Sequence, residues 1–315
     1  MVTKKLRAAV IGVGYLGRYH AQKYAEFDDV ELVGVADVDE RRAAEIAAQF
    51  GVPGHSDYRN LFDRAELVSI AVPTEAHYAV ARDCLAAGLH ILVEKPVTET
   101  VEQAEELIAL ANQNARVFQV GHLERFNPAL TALKGILRAP LFIESHRMAP
   151  FKPRGLDVNV VLDLMIHDID LILNAVKSPL AELRATGAAI LTDDVDIANA
   201  RMEFENGCVA NVTASRISRE QMRKIRVFQS SDYISIDFLE RKISIVRKGK
   251  QQFEVENKTF AQVDALKNEL RAFVDAVKNT TPPAVSGADG KRALEVALKI
   301  TEQMGMKQEA VGGRR

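Results

Sequence analysis

A glycine-rich turn directly after a short apolar segment constrains this chain more than any other feature. The apolar residues 8–11 run into the G-x-G-x-x-G pattern of residues 12–17, which opens a predicted helix at 15–27. The first glycine permits a tight turn, the second leaves room for a phosphate at the helix amides, and the third lets helix and strand lie close together. The pattern predicts a strand, turn and helix that bind a dinucleotide.

A second apolar segment, 31–36, ends at Asp37. A carboxylate at this place accepts hydrogen bonds from both hydroxyls of an adenosine ribose and repels a 2′-phosphate, which favours NAD over NADP. Arg41 and Arg42 leave an alternative open, since they can bind a 2′-phosphate or lie in a solvated helical turn. The cofactor contacts expected from these two motifs are Gly12, Gly14, Tyr15, Leu16, Gly17, Asp37 and Arg42.

Composition excludes several kinds of partner. The 315 residues suggest two domains, and 41 basic against 43 acidic side chains give a net charge of −2 without a basic patch for nucleic acid or an anionic membrane. No apolar stretch approaches the roughly 20 residues of a membrane span, so we expect a cytoplasmic protein. The two cysteines, Cys84 and Cys208, are predicted core residues, and the scattered histidines predict no metal site.

Strands and helices alternate along the first 120 or so residues, as in a doubly wound parallel sheet. Thr100 and Gln103 form a capping-box pattern at the start of one of these helices. The strands are predicted at 7–11, 31–36, 67–72, 90–93 and 116–120, and the helices at 39–50, 76–87 and from Thr100 onward.

The pattern changes after residue 121. A strand at 141–148 and an apolar helix at 157–175 precede alternating segments, among them a hairpin at Asn206-Gly207. Two amphipathic helices, 263–278 and 291–304, follow. The predicted fold is α/β: an NAD-binding Rossmann domain, 1–121, then an α+β domain with a largely antiparallel open sheet, 122–315, for substrate binding and oligomerisation.

Two groups of residues are candidates for chemistry. Lys95 follows a buried strand in Glu94-Lys95-Pro96, at the edge of the sheet where such folds bind ligands, although a surface charge is the commoner role of a lysine. Asp163 and His167 lie four residues apart and share a helix face with Asp170. They form either a satisfied pair in the core or the acid–base group that a nicotinamide cofactor needs.

These motifs, in this order, resemble the glucose-fructose oxidoreductase, inositol dehydrogenase and MocA (Gfo/Idh/MocA) family over essentially the whole chain. The resemblance implies a catalytic trio of Lys95, Asp163 and His167, in which the coupled titration of Lys95 and His167 leaves the identity of the base open. It also implies further NAD contacts, although helix packing is an equal alternative for His77. These contacts are Pro73, Thr74, His77, Glu94 and Lys95.

Segments 121–129 and 150–168 resemble more narrowly the members that oxidise the 3-hydroxyl of a UDP-linked amino sugar such as UDP-N-acetylglucosamine. Arg147, Lys152 and Arg154 suit a diphosphate, or else form a solvated basic loop. The implied substrate contacts are His122, Arg125, Arg147, Lys152 and Arg154 together with Lys95, Asp163 and His167.

The resemblance further implies a homodimer or homotetramer and a sugar aminotransferase as the next enzyme in lipid A biosynthesis. Several alternatives within the family stay open. They are a dehydrogenase of another sugar, of inositol or of UDP-N-acetylglucosaminuronate, an NAD-dependent glycosidase, and a dinucleotide sensor without activity.

Overall fold

The structure is a computed structural model that describes residues 4–133, 135–151, 159–250 and 252–312. The chain forms two compact units. The first comprises Met1–Leu123 and Asp264–Lys291, and the second comprises Glu124–Val263 and Arg292–Arg315. The predicted division at residue 121, with its two functional labels, stays a prediction, but the compact units are not two consecutive segments.

The first unit contains a six-stranded parallel sheet in the order β3-β2-β1-β4-β5-β6, the strand order of a dinucleotide-binding Rossmann fold. Its strands are β1 (Leu6–Ile11), β2 (Val30–Ala36), β3 (Gly54–His55), β4 (Leu67–Ile70), β5 (His90–Glu94) and β6 (Phe118–Gly121). The α-helices that the structure describes in both units are α1 (Gly17–Ala25), α2 (Glu40–Phe50), α3 (Thr74–Ala86), α4 (Val101–Gln113), α5 (Pro128–Thr131), α6 (Ile166–Val176), α7 (Ala265–Asn279) and α8 (Gly287–Gly312).

Local signals in the sequence set the helix ends of the first unit. Asp39 caps α2, where its carboxylate accepts the amides of Arg41 and Arg42, and Gly51 ends the helix in the left-handed conformation at φ 66°. The capping box of Thr100 and Gln103 is confirmed at the start of α4. Strand β3 was not predicted, because it has only two residues.

Helix α7 belongs to the first unit because its apolar face completes that unit's core. Leu270, Phe273 and Val274 are fully buried and lie in one cluster with Tyr24 and Phe27. At the rim, Asp29 accepts hydrogen bonds from Arg271 and Lys278. These cations hold the pKa of Asp29 well below its usual range.

The second unit contains an eight-stranded sheet in the order β14-β13-β12-β11-β7-β10-β9-β8. Among the described strands of this second sheet, only the β7–β10 pair is parallel, so the prediction of a largely antiparallel sheet is confirmed. The predicted hairpin joins β9 to β10, with Gly207 at φ 83°. The strands are β7 (Phe142–Met148), β8 (Leu180–Ala188), β9 (Ile197–Phe204), β10 (Val209–Ser215), β11 (Met222–Phe228), β12 (Asp232–Asp237), β13 (Lys242–Lys248) and β14 (Phe253–Thr259).

The apolar helix of the second unit differs from its prediction. A π-helical turn, Val161–Met165, precedes α6, whereas the sequence predicted one α-helix over 157–175, of which 157 and 158 lie outside the described residues. The side-chain oxygen of Asn159 accepts the amides of Val161 and Leu162 and caps this turn. Across the part of the chain that the structure describes, no helix combines the length and apolarity that a membrane crossing requires.

Candidate functional site

A cavity of about 720 Å³ lies at the carboxyl ends of the first unit's strands. Gly12 adopts φ 81°, and a Cβ there would lie 2.7 Å from the backbone of Ala71, so only glycine fits this turn. A Cβ at Gly14 would meet no described atom within 4 Å. The lining residues are Ile11, Gly12, Gly14, Tyr15, Leu16, Ala36, Asp37, Val38, Arg42, Ser56, Tyr58, Ala71, Val72, Pro73, Glu75, Ala76, Ala79 and Val80.

Asp37 presents a fixed carboxylate to this cavity. Its side chain is 5% exposed and accepts hydrogen bonds of 2.9 Å from the amides of Val13 and Asp39. Arg42 also lines the cavity and lies 3.4 Å from the carboxylate of Asp37. The open space at Gly14 and the anchored carboxylate of Asp37 fit the pyrophosphate and the adenosine ribose of NAD.

Sequence reasoning missed one wall of the cavity. Ser56 and Tyr58 reach it because β3 pairs with β2 and the amide of Asp37 donates to the carbonyl of His55. The hydroxyl of Tyr58 donates to Asp83 at 2.9 Å, and burial with this acceptor raises its pKa to about 12. A two-residue strand has no periodicity, so no signal in the sequence placed this wall.

His77 lies inside the first unit. It is 1% exposed, and its two ring nitrogens face the carbonyl oxygens of Val72 and Pro96 at 2.9 and 2.8 Å. It is absent from the described lining of the cavity, as is Thr74 at the start of α3, whereas Pro73 lines it. This position favours the packing alternative for His77, which joins two loops at the edge of the sheet.

Glu94 ends β5, and Lys95 follows it. The carboxylate of Glu94 lies 3.1 Å from Nε2 of the fully buried His20, on α1. It also lies against Gly121, where a Cβ would be 3.0 Å from it. Glu94 therefore contacts the interior of the first unit, and Gly121 leaves the space that its carboxylate fills.

Asp163 and His167 lie in the second unit. Asp163 is on the π-helical turn, and its amide donates to the carbonyl of Asn159, while His167 is in the first turn of α6. Lys95 belongs to the first unit. Assembly of these three side chains into one catalytic group stays a prediction.

The expected phosphate contact of Arg147 is not supported by its surroundings. Its side chain is 3% exposed, it donates twice to Asp168 at 2.8 and 3.0 Å, and it donates to Glu124 at 2.9 Å. Burial opposes its charge, but the two carboxylates outweigh burial and raise its pKa further. All three guanidinium nitrogens donate to acids of the second unit, so Arg147 is a structural ion pair.

The other predicted substrate contacts have different surroundings. Arg125 donates to both carboxylate oxygens of Asp170, at 2.7 and 2.5 Å, so Asp170 is engaged outside its helix. His122 is 1% exposed, and its amide donates to the carbonyl of Val120. Lys152 and Arg154 lie outside the described residues.

Neither cysteine is arranged as a reactive thiol. Cys84 and Cys208 are buried and free, and burial raises the pKa of Cys208 to about 11 and that of Cys84 beyond this. Within the described ranges, no group of three His, Cys, Asp or Glu side chains lies close enough to hold a metal ion.

Similarity to known proteins covers nearly the whole chain. It is 40% identical over 302 residues to UDP-N-acetylglucosamine 3-dehydrogenase of Acidithiobacillus ferrooxidans, which covers 94% of this chain and 96% of that protein. The solved structure of the same dehydrogenase has a TM-score of 0.91 and covers 95% of this chain and 98% of its own. Myo-inositol 2-dehydrogenase of Thermotoga maritima is 27% identical over 335 residues, 98% of this chain and all of that protein.

Two family models match consecutive parts of the chain. Residues 6–122 match the oxidoreductase family with an NAD-binding Rossmann fold, and residues 143–234 match the GFO/IDH/MocA C-terminal domain. Levoglucosan dehydrogenase in complex with NADH, at 19% identity and a TM-score of 0.88 over 96% of this chain and 98% of its own, shows the same fold. The chain thus belongs to the Gfo/Idh/MocA family of NAD-binding oxidoreductases.

Proposed function

We propose that the chain oxidises the 3-hydroxyl of UDP-N-acetylglucosamine to a ketone with NAD as the oxidant. The observation that carries this proposal is the 40% identity, over nearly the full length of both chains, to a UDP-N-acetylglucosamine 3-dehydrogenase. The cavity beside Gly14 and Asp37 supports it, since both fit the cofactor that such a reaction needs.

The proposed chemistry assigns one task to each member of the trio. When bound, NAD supplies the two-electron oxidising equivalent. Either His167 or Lys95 takes the proton of the reacting hydroxyl. Lys95 also donates a hydrogen bond to the same oxygen and stabilises its developing negative charge, and Asp163 orients the sugar and the imidazole.

The substrate's diphosphate needs a cation other than Arg147. Arg223 lies directly opposite Arg147 in the β7–β11 pair, so both side chains are on the sheet face that Arg147 shares with Asp168. The side chain of Arg223 is 46% exposed and lies 3.7 Å from Glu124. We assign Arg223 to the substrate phosphates, together with Lys152 and Arg154.

Four finer assignments follow the family resemblance. We propose a homodimer or homotetramer, a cytoplasmic location, a sugar aminotransferase that uses the 3-keto product, and a place in lipid A biosynthesis. A ketone at C3 is the functional group that a transaminase converts to an amine, which connects the proposed product to the proposed next step. Size-exclusion chromatography with light scattering tests the oligomer.

The test is an oxidation assay with purified protein and NAD. UDP-N-acetylglucosamine should yield NADH and a nucleotide sugar lighter by two hydrogens in mass spectrometry, with the glycosidic bond intact. Free N-acetylglucosamine, glucose and myo-inositol should yield little NADH, because they lack the phosphates that contribute binding energy.

Each other outcome identifies a different family activity. Turnover of inositol or of a free sugar, without any response to UDP-sugars, contradicts the proposed substrate. Faster turnover of UDP-N-acetylglucosaminuronate identifies a uronate dehydrogenase, and cleavage of the sugar without net NADH identifies a glycosidase. Binding of NAD without turnover of any sugar identifies a sensor.

A further inference from the structure

Three buried titratable side chains of the first unit interact with one another and have no role in the proposed reaction. They are His20 on α1, Glu94 at the end of β5 and Glu269 on α7, all in the first unit. His20 and Glu269 are 0% exposed, and the side chain of Glu94 is 13% exposed. Ionised groups in such an interior are costly unless they are paired with an opposite charge or hydrogen-bonded.

Glu94 has a partner for its negative charge. Nε2 of His20 lies 3.1 Å from its carboxylate. Burial would raise the pKa of Glu94, but the hydrogen bond from His20 and the charges of His20 and Lys95 outweigh burial and lower it. Glu94 is therefore the ionised member of the group.

Glu269 has no comparable partner. Neither of its carboxylate oxygens has a hydrogen-bond donor among the residues that the structure describes. Gln119, on β6, donates from Nε2 to the main-chain carbonyl of Glu269 at 3.1 Å and leaves the carboxyl group unbonded. Burial is the main cause, and the negative charge of Glu94 the second, that raises the pKa of Glu269 well above its usual value.

A second titratable group near Glu269 is Tyr24, on α1, which is fully buried with its hydroxyl 2.7 Å from that of Ser69 on β4. Burial raises the pKa of Tyr24, so this side chain is neutral. Glu94 is the neighbouring charge and has the same sign. Ionising two carboxyl groups that are buried in the same interior carries a large cost in free energy. His20 is not available to Glu269, because it is already hydrogen-bonded to Glu94.

We propose that Glu269 keeps its proton at neutral pH, so that Glu94, immediately before Lys95, is the ionised carboxyl group of this buried pair of acids. The protonation of Glu269 does not depend on the proposed function.

The first test measures urea unfolding of the NAD-free protein between pH 5 and pH 8. A carboxyl group whose pKa is raised by folding is protonated in both states below its unfolded pKa of about 4.3. Above that pH the unfolded chain releases the proton and the folded chain keeps it, so folding loses stability as the pH rises. The limiting loss is a tenfold increase in the unfolding constant per pH unit.

Glu269→Gln, a neutral side chain of the same shape, should remove this loss. As the pH rises from 5 to 8, the ratio of the variant's unfolding constant to that of the wild type should fall by up to tenfold per pH unit. The reason is that the variant has no proton to release at this position on unfolding. The exposed Glu45 on α2 supplies the control, and Glu45→Gln should follow the wild-type pH dependence. If the logarithm of the unfolding constant changes with pH in the same way in the wild type and in Glu269→Gln, the proposal is overturned.

A second measurement uses the wild-type protein, so it holds even if the variant fails to fold. Infrared spectra should show the carbonyl stretch of a protonated carboxylic acid at pH 7, where exposed carboxylates are ionised. If this band disappears as the pH is raised from 4 to 5, together with the bands of all other carboxylic acids, the proposal is overturned. Neither test uses a sugar, so both outcomes are independent of the proposed substrate.

Discussion

Nδ1 of His77 lies 2.8 Å from the carbonyl oxygen of Pro96. On the other side of the ring, Nε2 lies 2.9 Å from the carbonyl oxygen of Val72. The imidazole thus spans the loop that begins α3 and the loop that carries Lys95. Burial lowers the pKa of His77, while the two carbonyls oppose this effect.

Replacing His77 should loosen both loops at once. His77→Phe removes the imidazole from between two buried carbonyls. Because burial lowers the pKa of His77, the neutral ring carries one N–H, and loss of that one hydrogen bond should cost about 1 kcal/mol in the free energy of unfolding. Weaker NAD binding should accompany it. Tyr78, the next residue of α3, bonds to Glu106 at the surface and provides the control Tyr78→Phe. Equal unfolding curves for the two variants contradict the bridge.

Cofactor choice should depend on Asp37. The wild-type protein should bind NAD at least about tenfold more tightly than NADP, a difference of about 1.4 kcal/mol. Asp37→Ser should narrow this gap, because a 2′-phosphate then meets Arg42 without the fixed carboxylate. Arg42→Ala should weaken NADP binding in that background, and Arg41→Ala should change it less. Calorimetric titration measures each affinity, and equal affinities in the wild type disprove the assignment of Asp37.

The proposed catalytic residues should affect turnover and spare cofactor affinity. Lys95→Met and His167→Ala should each lower kcat by roughly 10² to 10⁴, the usual contribution of a positioned acid or base, with nearly unchanged Kd for NAD. The double variant should lose less than the product of the two effects, because the residues act as a unit. Near-normal turnover in either single variant removes that residue from the mechanism.

Arg223 should contribute to binding more than to chemistry. Arg223→Ala should raise KM for UDP-N-acetylglucosamine more than it lowers kcat, since a phosphate contact acts in the ground state and the transition state alike. Arg226, on the same strand, is 40% exposed and bonds to Glu144, so Arg226→Ala is the matched control. An unchanged KM in the Arg223 variant argues against a phosphate contact.

The buried ion pair of Arg147 should govern the stability of the second unit. Asp168→Ala leaves the guanidinium without its principal partner, and we expect a loss of about 3–5 kcal/mol in the free energy of unfolding. Joint replacement with Arg147→Met should cost less than the two single changes together, because no unpaired arginine remains. Arg226→Met should cost only about 0–1 kcal/mol, as its pair with Glu144 is exposed. Urea unfolding of the four variants checks the order.

Local patterns in the sequence predicted most of the first unit. The glycine turn at 12–17, the capping box at Thr100 and the strand ending before Asp37 each depend on neighbouring residues, and the structure contains all three. The wall formed by Ser56 and Tyr58 was missed because it depends on the short pairing of β2 with β3. Contacts between distant segments leave little trace in local periodicity.

The same limit explains why the ion pair of Arg147 was not predicted. Its position beside an apolar helix suggested a free cation, but its partners Asp168 and Glu124 come from segments 21 and 23 residues away. The group of His20, Glu94 and Glu269 was likewise invisible, since its members lie on α1, β5 and α7. A buried acid on an amphipathic helix such as α7 resembles a solvated one in sequence.

The placement of α7 in the first unit bears on how the chain folds during synthesis. When the ribosome has released residues 1–123, Tyr24 and Phe27 still lack Leu270, Phe273 and Val274, which cover them in the finished protein. The nascent Rossmann unit therefore exposes apolar surface while some 140 further residues, 124–263, are made. A fragment cut at residue 123 should aggregate for the same reason, and adding α7 as a separate peptide should keep it in solution.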